Sequence, residues 1–339
     1  MPPHHNGKGF RNPWPHSRPG AVPGLLRWVG QRWVRRLNGT LPRALPASAF
    51  PIAAPDMAQP RASASELRVT WVGHSTCLVQ AGGVNILTDP VWSRRASPVQ
   101  SIGPRRLVDA AFPLEQLPPI DVVLMSHDHY DHFDVPTIRA LAKRHPEAQW
   151  VCPLGLPPAL RQLGVSNLTE LDWWDARDVA AGGVTVRVTA TPAQHFSGRT
   201  PFDRDATLWC GFAVAAGPWR VFFAGDTGLH PEFERIGREL GPFDAALIPV
   251  GAYDPRWFMR PVHMDPDEAL EAYDAVNRVQ RNGRAPCALV PIHWGTFKLT
   301  DEAMDEPPRR TREGWEARRL DGAALWLLRH GETRTRTTP

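Results

Sequence analysis

The chain of 339 residues has only four cysteines, and no two of them form a CxxC pair. Cys77, Cys152, Cys210 and Cys287 lie far apart in the sequence. This spacing argues against a thiolate zinc site and against a scaffold built on disulfides. A reducing compartment suits such a chain best, because cysteines are kept as free thiols there.

Targeting segments are missing as well. No run of about 18 apolar residues occurs, so the sequence predicts no transmembrane helix. The segment from Met1 to His5 is not followed by an apolar stretch with a small-residue cleavage site, so no secretory signal peptide is predicted. The expected location is therefore the cytoplasm.

Acidic residues are almost absent from the first 65 positions. Residues 1–65 hold nine Lys or Arg and one acid, Asp56, a net charge of +8, and since the whole chain carries +4, the rest carries −4. We interpret residues 1–65 as an extended basic arm, interrupted by one helix, and residues 66–339 as the compact domain. A basic arm on an acidic body predicts an anionic partner for the arm.

One amphipathic helix is predicted within the arm, over residues 25–37. At helical spacing one apolar face carries Leu25, Val29, Trp33 and Leu37. Arg27 and Arg35 lie on the opposite face, Arg32 lies at its edge, and Arg36 intrudes on the apolar side, so four arginines supply positive charge. This pattern is typical of a helix that lies in a membrane surface. The alternative, a helix that packs its apolar face on the protein body, stays open beside it, and the two are not exclusive.

Short apolar runs and helical patterns alternate along the remainder of the chain. The strands predicted from these runs are 67–72, 77–79, 84–87, 122–125, 184–188, 221–224, 246–250, 288–292 and 324–328. The helices predicted are 136–144, 231–240 and 266–278. Clustered strands with interspersed helices favour an α/β protein with two sheets and helices on their outer faces.

The strongest chemical signal follows the predicted strand at 122–125. There the chain reads Ser-His-Asp-His-Tyr-Asp-His, with His127, His129, Asp131 and His132 within six residues. Imidazole nitrogen and carboxylate oxygen suit Zn²⁺, Mn²⁺ or Fe²⁺. His127 and His129 are placed to share one ion, and Asp131 and His132 to face a second.

Three further candidate ligands each follow another predicted strand. They are His195, Asp226 and His293. A single histidine at a strand end is more often structural, but strand ends on one edge of a sheet are where α/β proteins gather their sites. Together these residues complete the ligand set of a metal centre.

The pattern His-x-His-x-Asp-His, followed by His195, Asp226 and His293, resembles the metallo-β-lactamase superfamily. Longer segments resemble its branch of N-acylphosphatidylethanolamine-hydrolysing phospholipases D. The segments that carry this likeness include Trp71–His74, Thr88–Pro90, Glu170–Trp174, Phe223–Gly228, Pro255–Met259 and Ile292–Phe297. The resemblance implies an αββα sandwich of two mixed sheets with outer helices.

The resemblance also implies roles for individual residues. His127, His129 and His195 would bind one zinc ion; Asp131, His132 and His293 would bind the second; and Asp226 would bridge the two. His263 matches a histidine on the substrate side of the site, where it would donate a hydrogen bond to phosphate or protonate the leaving alcohol. Asp131, Asp226 and His263 are thus the predicted catalytic residues. His74 and Asp89 match positions that are not direct ligands.

The function implied is a dinuclear zinc phosphodiesterase that hydrolyses N-acylphosphatidylethanolamine to phosphatidic acid and an N-acylethanolamine. Its expected partners are the phospholipid and a membrane surface contacted through the arm, and a homodimer is left open. The segments around Ser101, Arg260 and Phe196 depart from the branch's pattern, which leaves the lipid undetermined.

Other classes of function remain as alternatives. A hydrolase of another ester, a lactone or an amide would use the same metals to polarise a carbonyl group. A nuclease is disfavoured, because the body is acidic and no basic stripe with interleaved aromatic residues occurs outside the arm. A non-catalytic membrane-binding protein would have no use for a complete set of buried ligands.

Overall fold

Two β-sheets face each other in the computed structural model, which describes residues 1–14, 21–43, 45–57, 59–278 and 285–338. The strands are β1 Glu66–Gly73, β2 Thr76–Ala81, β3 Val84–Thr88, β4 Val122–Leu124, β5 Gln149–Pro153, β6 Leu168–Leu171, β7 Ala176–Ala181, β8 Val184–Thr191, β9 Gly211–Ala216, β10 Trp219–Phe223, β11 Ala245–Pro249, β12 Ala288–Ile292 and β13 Thr333–Thr337. The helices are α1 Ala21–Leu37, α2 Val135–Arg144, α3 Pro157–Gln162, α4 Glu232–Leu240, α5 Arg256–Met259, α6 Pro266–Val276 and α7 Glu306–Ala317.

Both sheets are mixed. The first has the order β13-β1-β2-β3-β4-β5-β6, with β3 to β6 parallel and the pairs involving β1 and β2 antiparallel. The second has the order β12-β11-β10-β9-β8-β7, with β10 to β12 parallel and the remaining pairs antiparallel. This arrangement confirms the predicted sandwich of two mixed sheets with helices.

The β2–β3 hairpin shows how local sequence sets the fold. Gly82 and Gly83 turn the chain at φ values of 59° and 84°, a region that favours glycine. A Cβ atom at Gly82 would lie 2.6 Å from the carbonyl oxygen of Ala216, so the turn also lets the two sheets approach closely. The Gly82-Gly83 turn predicted from the sequence is therefore present.

Apolar side chains form two layers of hydrophobic core, and alternate residues of a strand point to opposite faces of its sheet. The larger layer lies between the sheets and continues under the helices of the second sheet, where α4 and α7 both contact α6. The smaller layer covers the outer face of the first sheet and includes Ile138 and Leu141 of α2 and Leu160 of α3. Helices thus lie outside each sheet, in the order helix, sheet, sheet, helix.

One predicted strand, over residues 324–328, is wrong. The segment begins as a 3-10 turn, Gly322–Ala324, and makes a single parallel bridge between Leu325 and Leu289 of β12. Two residues further along β12 lies Pro291, which has no N–H to donate on the side facing this segment. The pairing therefore cannot extend into a ladder.

Helix α1 contacts the body through its polar side. The indole Nε1 of Trp28 donates to Asp301 Oδ2 at 2.9 Å, and Arg32 Nε lies 3.1 Å from Asp301 Oδ1. Arg35 Nη1 donates to Asp254 Oδ2 at 2.8 Å. Two of the four arginines predicted to supply charge for a membrane surface are therefore paired with carboxylates of the body.

The apolar side of α1 faces outward. The predicted apolar residues Leu25, Val29, Trp33 and Leu37 are 47, 44, 62 and 79% exposed, and Leu26 beside them is 66% exposed. The alternative in which this face packs on the body is therefore wrong, because the acidic side chains described above hold the opposite face. Among the described residues, no helix is long and apolar enough to span a bilayer.

Candidate metal centre

The candidate ligands lie where strands of both sheets end. Asp89 follows β3, the segment from His127 to His132 follows β4, and His195 follows β8. Asp226 follows β10, and His293 follows β12 directly. The strand directions bring these carboxyl ends to one edge of the sandwich, as expected for sites in α/β proteins.

The first group of ligands is a trio of histidines. His129 Nδ1 lies 3.0 Å from His127 Nε2 and 3.1 Å from His195 Nε2, so one nitrogen of each ring converges on a common point. His195 is oriented by its other nitrogen, Nδ1, which lies 2.9 Å from the carbonyl oxygen of Val262. A backbone acceptor of this kind fixes the tautomer that leaves Nε2 free to bind a metal.

The second group surrounds the carboxylate of Asp131. Its Oδ2 atom lies 3.5 Å from His132 Nε2 and 3.4 Å from His293 Nε2. His74 Nε2 approaches the same oxygen at 2.9 Å. His74 and His293 are held at φ values of 55° and 62°, a strained conformation for residues with a side chain, of the kind found at functional sites.

Asp226 lies between the two groups. Its Oδ2 is 3.1 Å from His132 Nε2 and 2.9 Å from His293 Nε2 on one side, and 3.9 Å from His195 Nε2 on the other. The side chain is 2% exposed. A carboxylate in this position can contribute one oxygen to each of two cations.

Asp89 supports the ligands from behind. Its carboxylate accepts from the backbone N–H and hydroxyl of Ser126 at 2.7 and 2.5 Å, and its Oδ2 lies 2.7 Å from His132 Nδ1. The Ser126 hydroxyl in turn lies 2.8 Å from His127 Nδ1. One buried carboxylate thus orients a histidine of each group, which is the usual role of residues behind a metal's ligands.

The donor set fits a pair of divalent metal ions. Three buried atoms that point into the cluster, His132 Nε2, His293 Nε2 and Asp226 Oδ1, make no hydrogen bond with any described residue. Buried polar atoms without a hydrogen bond are costly, so such a group is expected to serve a ligand. Five imidazoles and two carboxylates match zinc, manganese or iron rather than calcium or magnesium.

The first group is electrically suited to bind a cation. Burial lowers the pKa of His127, His129 and His195 below the usual range of histidine. All three are therefore neutral at neutral pH, and neutral imidazole is the form that binds metal.

In the second group burial alone would raise the pKa of Asp131 and Asp226, but His132 and His293 hold both values well below the usual range. In return the two carboxylates raise the pKa of His132 and His293, against the effect of burial. Cation binding must displace the protons carried by these two histidines, so metal affinity falls as the pH falls.

A cavity of about 360 Å³ opens from this cluster toward α1. His129, Asp131 and Asp226 line its floor and His263 its wall. Its remaining walls are mostly apolar, formed by Leu25, Trp28, Phe196, Ala252, Phe258, Met259, Val262 and Leu299 with Arg204 and Thr300. The cavity therefore joins a polar floor to an apolar opening beside the exposed helix.

His263 lies beside both ligand groups, with one ring nitrogen within 4.8 Å of ligand atoms of His195 and Asp226. Its Nδ1 is 4.0 Å from Asp226 Oδ2 and makes no hydrogen bond with the described residues. Burial lowers the pKa of His263 to about 3, so the imidazole is neutral at neutral pH. A neutral imidazole at this place can donate an N–H to a bound oxyanion.

All seven predicted ligands come together at this edge, and His263 faces the same cavity. One contributor, His74, was matched only to a position that is not a direct ligand, and another, Asn12, was not predicted from the sequence. His74 contacts Asp131 directly, and Asn12 holds the backbone of His195 through two hydrogen bonds, from Asn12 Nδ2 to the carbonyl at 2.8 Å and from the His195 N–H to Asn12 Oδ1 at 3.2 Å. The Trp-Val-Gly-His segment that carries His74 was a signal for the first, whereas nothing local marks the second.

Comparisons with known proteins identify the family of this chain. Residues 84–294 match a family model described as a beta-lactamase superfamily domain. N-acyl-phosphatidylethanolamine-hydrolyzing phospholipase D 1 of Caenorhabditis elegans is 38% identical over 92% of this chain and 88% of its own length. The mitochondrial N-acyl-phosphatidylethanolamine-hydrolyzing phospholipase D of Saccharomyces cerevisiae is 33% identical over 71% of this chain and 50% of its own length. The structure of Igni18, a metallo hydrolase from Ignicoccus hospitalis, superposes with a TM-score of 0.60 at 22% identity, covering 81% of this chain and 100% of that one.

Proposed function

Since this chain belongs to the metallo-β-lactamase superfamily, within its branch of N-acyl-phosphatidylethanolamine-hydrolysing phospholipases D, we propose that it is a dinuclear zinc phosphodiesterase acting on phospholipids. The chain is a metal-dependent hydrolase. The proposed substrate is N-acylphosphatidylethanolamine, and the proposed products are phosphatidic acid and an N-acylethanolamine.

The observation that carries this proposal is a carboxylate shared by two ligand groups at the floor of an apolar cavity. Asp226 lies between the histidine trio and the group around Asp131. Two cations held there would activate a water molecule and neutralise phosphate oxygens in the transition state. A diester that carries three acyl chains, two on its glycerol and one on its ethanolamine nitrogen, needs both a polar floor for its phosphate and apolar walls for the rest.

The chain's own residues bind and orient the reactants. Asp89 and Ser126 hold the rings of His127 and His132 in position, so little reorganisation is needed during the reaction. Phe196 and Phe258 line the cavity and exclude bulk water from the polar floor.

For His263 we propose a narrower role than the two that the resemblance implied. Because its imidazole is neutral, it is suited to donate an N–H hydrogen bond to a phosphate oxygen of the bound diester. The alternative role, proton transfer to the leaving alcohol, requires the imidazolium form, which the lowered pKa disfavours in the free protein.

The same proposal includes a membrane surface as the place of action. Helix α1 presents Leu26, Trp33 and Leu37 to solvent, and its Leu25 and Trp28 line the cavity. A helix that inserts this face among headgroups would bring the cavity's opening to the lipid. The basic residues that are paired with Asp254 and Asp301 then fix the helix on the enzyme rather than bind lipid.

The test is hydrolysis of defined lipids by purified, zinc-loaded protein. We expect a phosphate monoester from N-acylphosphatidylethanolamine in vesicles, together with two zinc ions in the cluster of each chain. Asp226→Asn should lose activity, whereas Asp128→Asn should keep it, because Asp128 lies between two ligands but accepts from Gly198 N and the Thr207 hydroxyl instead. Turnover of a lactone or amide without any phosphodiester cleavage would contradict the proposal.

A further inference from the structure

A second group of metal-binding side chains lies outside the catalytic cluster. His4 Nε2 is 2.6 Å from Asp172 Oδ1, and His5 Nε2 is 2.8 Å from Asp172 Oδ2. The three ligand atoms lie within 4.8 Å of one another. None of these residues belongs to the catalytic cluster, and the proposed function uses none of them.

The two histidines are carried by a hairpin of residues 2–11, the N-terminal hairpin. A bridge between His5 and Phe10 closes it, and Arg11 N donates to the carbonyl of His4 at 2.8 Å. Phe10 N donates to the carbonyl of Asp205 at 2.8 Å. A Cβ atom at Gly9 would lie 2.2 Å from that carbonyl, so glycine is required for this approach.

The protein body prepares the other side of the group. Asp172 follows β6, and its Oδ1 also accepts from the backbone N–H of Trp173 at 2.8 Å. The imidazole of His4 stacks on the indole of Trp173, with ring centroids 4.2 Å apart and planes at 24°. The orientations of Asp172 and His4 are therefore set by their contacts with Trp173 as well as by their contact with each other.

We propose that His4, His5 and Asp172 bind a further divalent metal ion, and that this ion fastens the N-terminal hairpin to the body. The chemistry of the ligands favours zinc. Two imidazole nitrogens and a carboxylate form a set that zinc, copper and nickel accept, and zinc takes a water as its fourth ligand. Ligands on one zinc ion lie about 3–3.5 Å apart, given bonds of about 2.0–2.2 Å in a tetrahedron. His4 Nε2 and His5 Nε2 lie 2.6 and 2.8 Å from the two oxygens of Asp172, so both contacts would lengthen by several tenths of an ångström to admit an ion.

Burial and charge favour a cation at this place. The side chain of His4 is 7% exposed, while those of His5 and Asp172 are 24 and 20% exposed, which leaves a solvent path for an ion. Burial lowers the pKa of His4. Although burial opposes it, the hydrogen bonds from His4, Trp173 N and His5 keep the pKa of Asp172 below its usual value. A neutral imidazole and an ionised carboxylate are the forms that bind metal.

Metal binding at the hairpin would also affect the catalytic cluster, because the residue that follows the hairpin contacts His195. Asn12, the residue after the hairpin, exchanges two hydrogen bonds with the backbone of His195. Trp14 stacks on Trp173 and on His230, with centroids 5.6 and 4.7 Å apart. A metal that fixes the hairpin would therefore hold the segment that supports one catalytic ligand, and Asn12 acts as a positioning residue.

The experiment compares zinc content by mass spectrometry after chelation, reconstitution and desalting. His4→Gln/His5→Gln should bind one zinc ion per chain fewer than the wild type. Glutamine keeps an N–H donor for Asp172 but is a poor zinc ligand, so the change separates metal binding from hydrogen bonding. Glu170→Gln is the matched control, because Glu170 lies in β6, two residues before Asp172, and its side chain accepts from Gly155 N at 2.6 Å.

A second readout is hydrogen exchange at residues 4–12. In the wild type added zinc should slow exchange there, and in the double variant it should not. Equal zinc content in the wild type and the double variant, or hairpin exchange that zinc leaves unchanged in both, would overturn the proposal. Neither measurement uses activity, so failure of the phospholipase assay would leave this result standing.

Discussion

Replacing Leu26 and Leu37 of α1 by glutamine should weaken binding to phospholipid vesicles by roughly 30- to 700-fold. The two side chains are 66 and 79% exposed. Full transfer of a leucine side chain out of water is worth about 1.5–3 kcal/mol. Scaled by the exposed fractions, the loss for both is about 2–4 kcal/mol, and each 1.4 kcal/mol is about a factor of ten.

The assay is co-sedimentation with vesicles at several salt concentrations, beside turnover of a soluble short-chain diester. Turnover should be unchanged, because neither leucine contacts a ligand or lines the cavity. Val184→Gln is the control, since Val184 is 39% exposed at the start of β8, whereas His195 follows the other end of that strand. Equal vesicle binding by the double variant and the control would refute the reasoning.

Three other changes test separate parts of the structure. Asp301→Asn removes the charge that holds Trp28 and Arg32, so α1 should become sensitive to protease while the body keeps its thermal midpoint; an unchanged cleavage rate would contradict the docking described. Asp226→Asn should reduce zinc content and lower activity by orders of magnitude with the circular dichroism spectrum intact, and near-normal turnover with two metals bound would contradict its bridging role. His263→Gln should lower kcat by about 10²- to 10³-fold with zinc content unchanged, as expected when one hydrogen-bond donor to the phosphate oxygens of the transition state is lost, and an unchanged kcat would remove it from the mechanism.

Most of the candidate metal centre could be predicted from the sequence, because its candidate ligands follow apolar runs that form strands. β4 precedes His127, β10 precedes Asp226 and β12 precedes His293, as the periodicity implied. A strand followed directly by a polar ligand can be recognised from the local sequence alone. The two mixed sheets followed from the same runs and from the family resemblance.

The parts that could not be predicted depend on contacts between distant residues. The amphipathic pattern of α1 defines two faces but does not determine which one docks, since Asp301, 273 residues after Trp28, decides it. The contact of His4 with Asp172 spans 168 residues. The wrong strand at 324–328 has the same origin, because Pro291 of its neighbour prevents the ladder.

The central claim is tested most directly by following the oxygen atom of water during hydrolysis of N-acylphosphatidylethanolamine. The zinc-loaded enzyme should release an N-acylethanolamine in water enriched in ¹⁸O, with one ¹⁸O in the phosphate of phosphatidic acid and none in the alcohol. Label in a free fatty acid, with the phosphodiester intact, would show attack on a carbonyl group and would contradict the account.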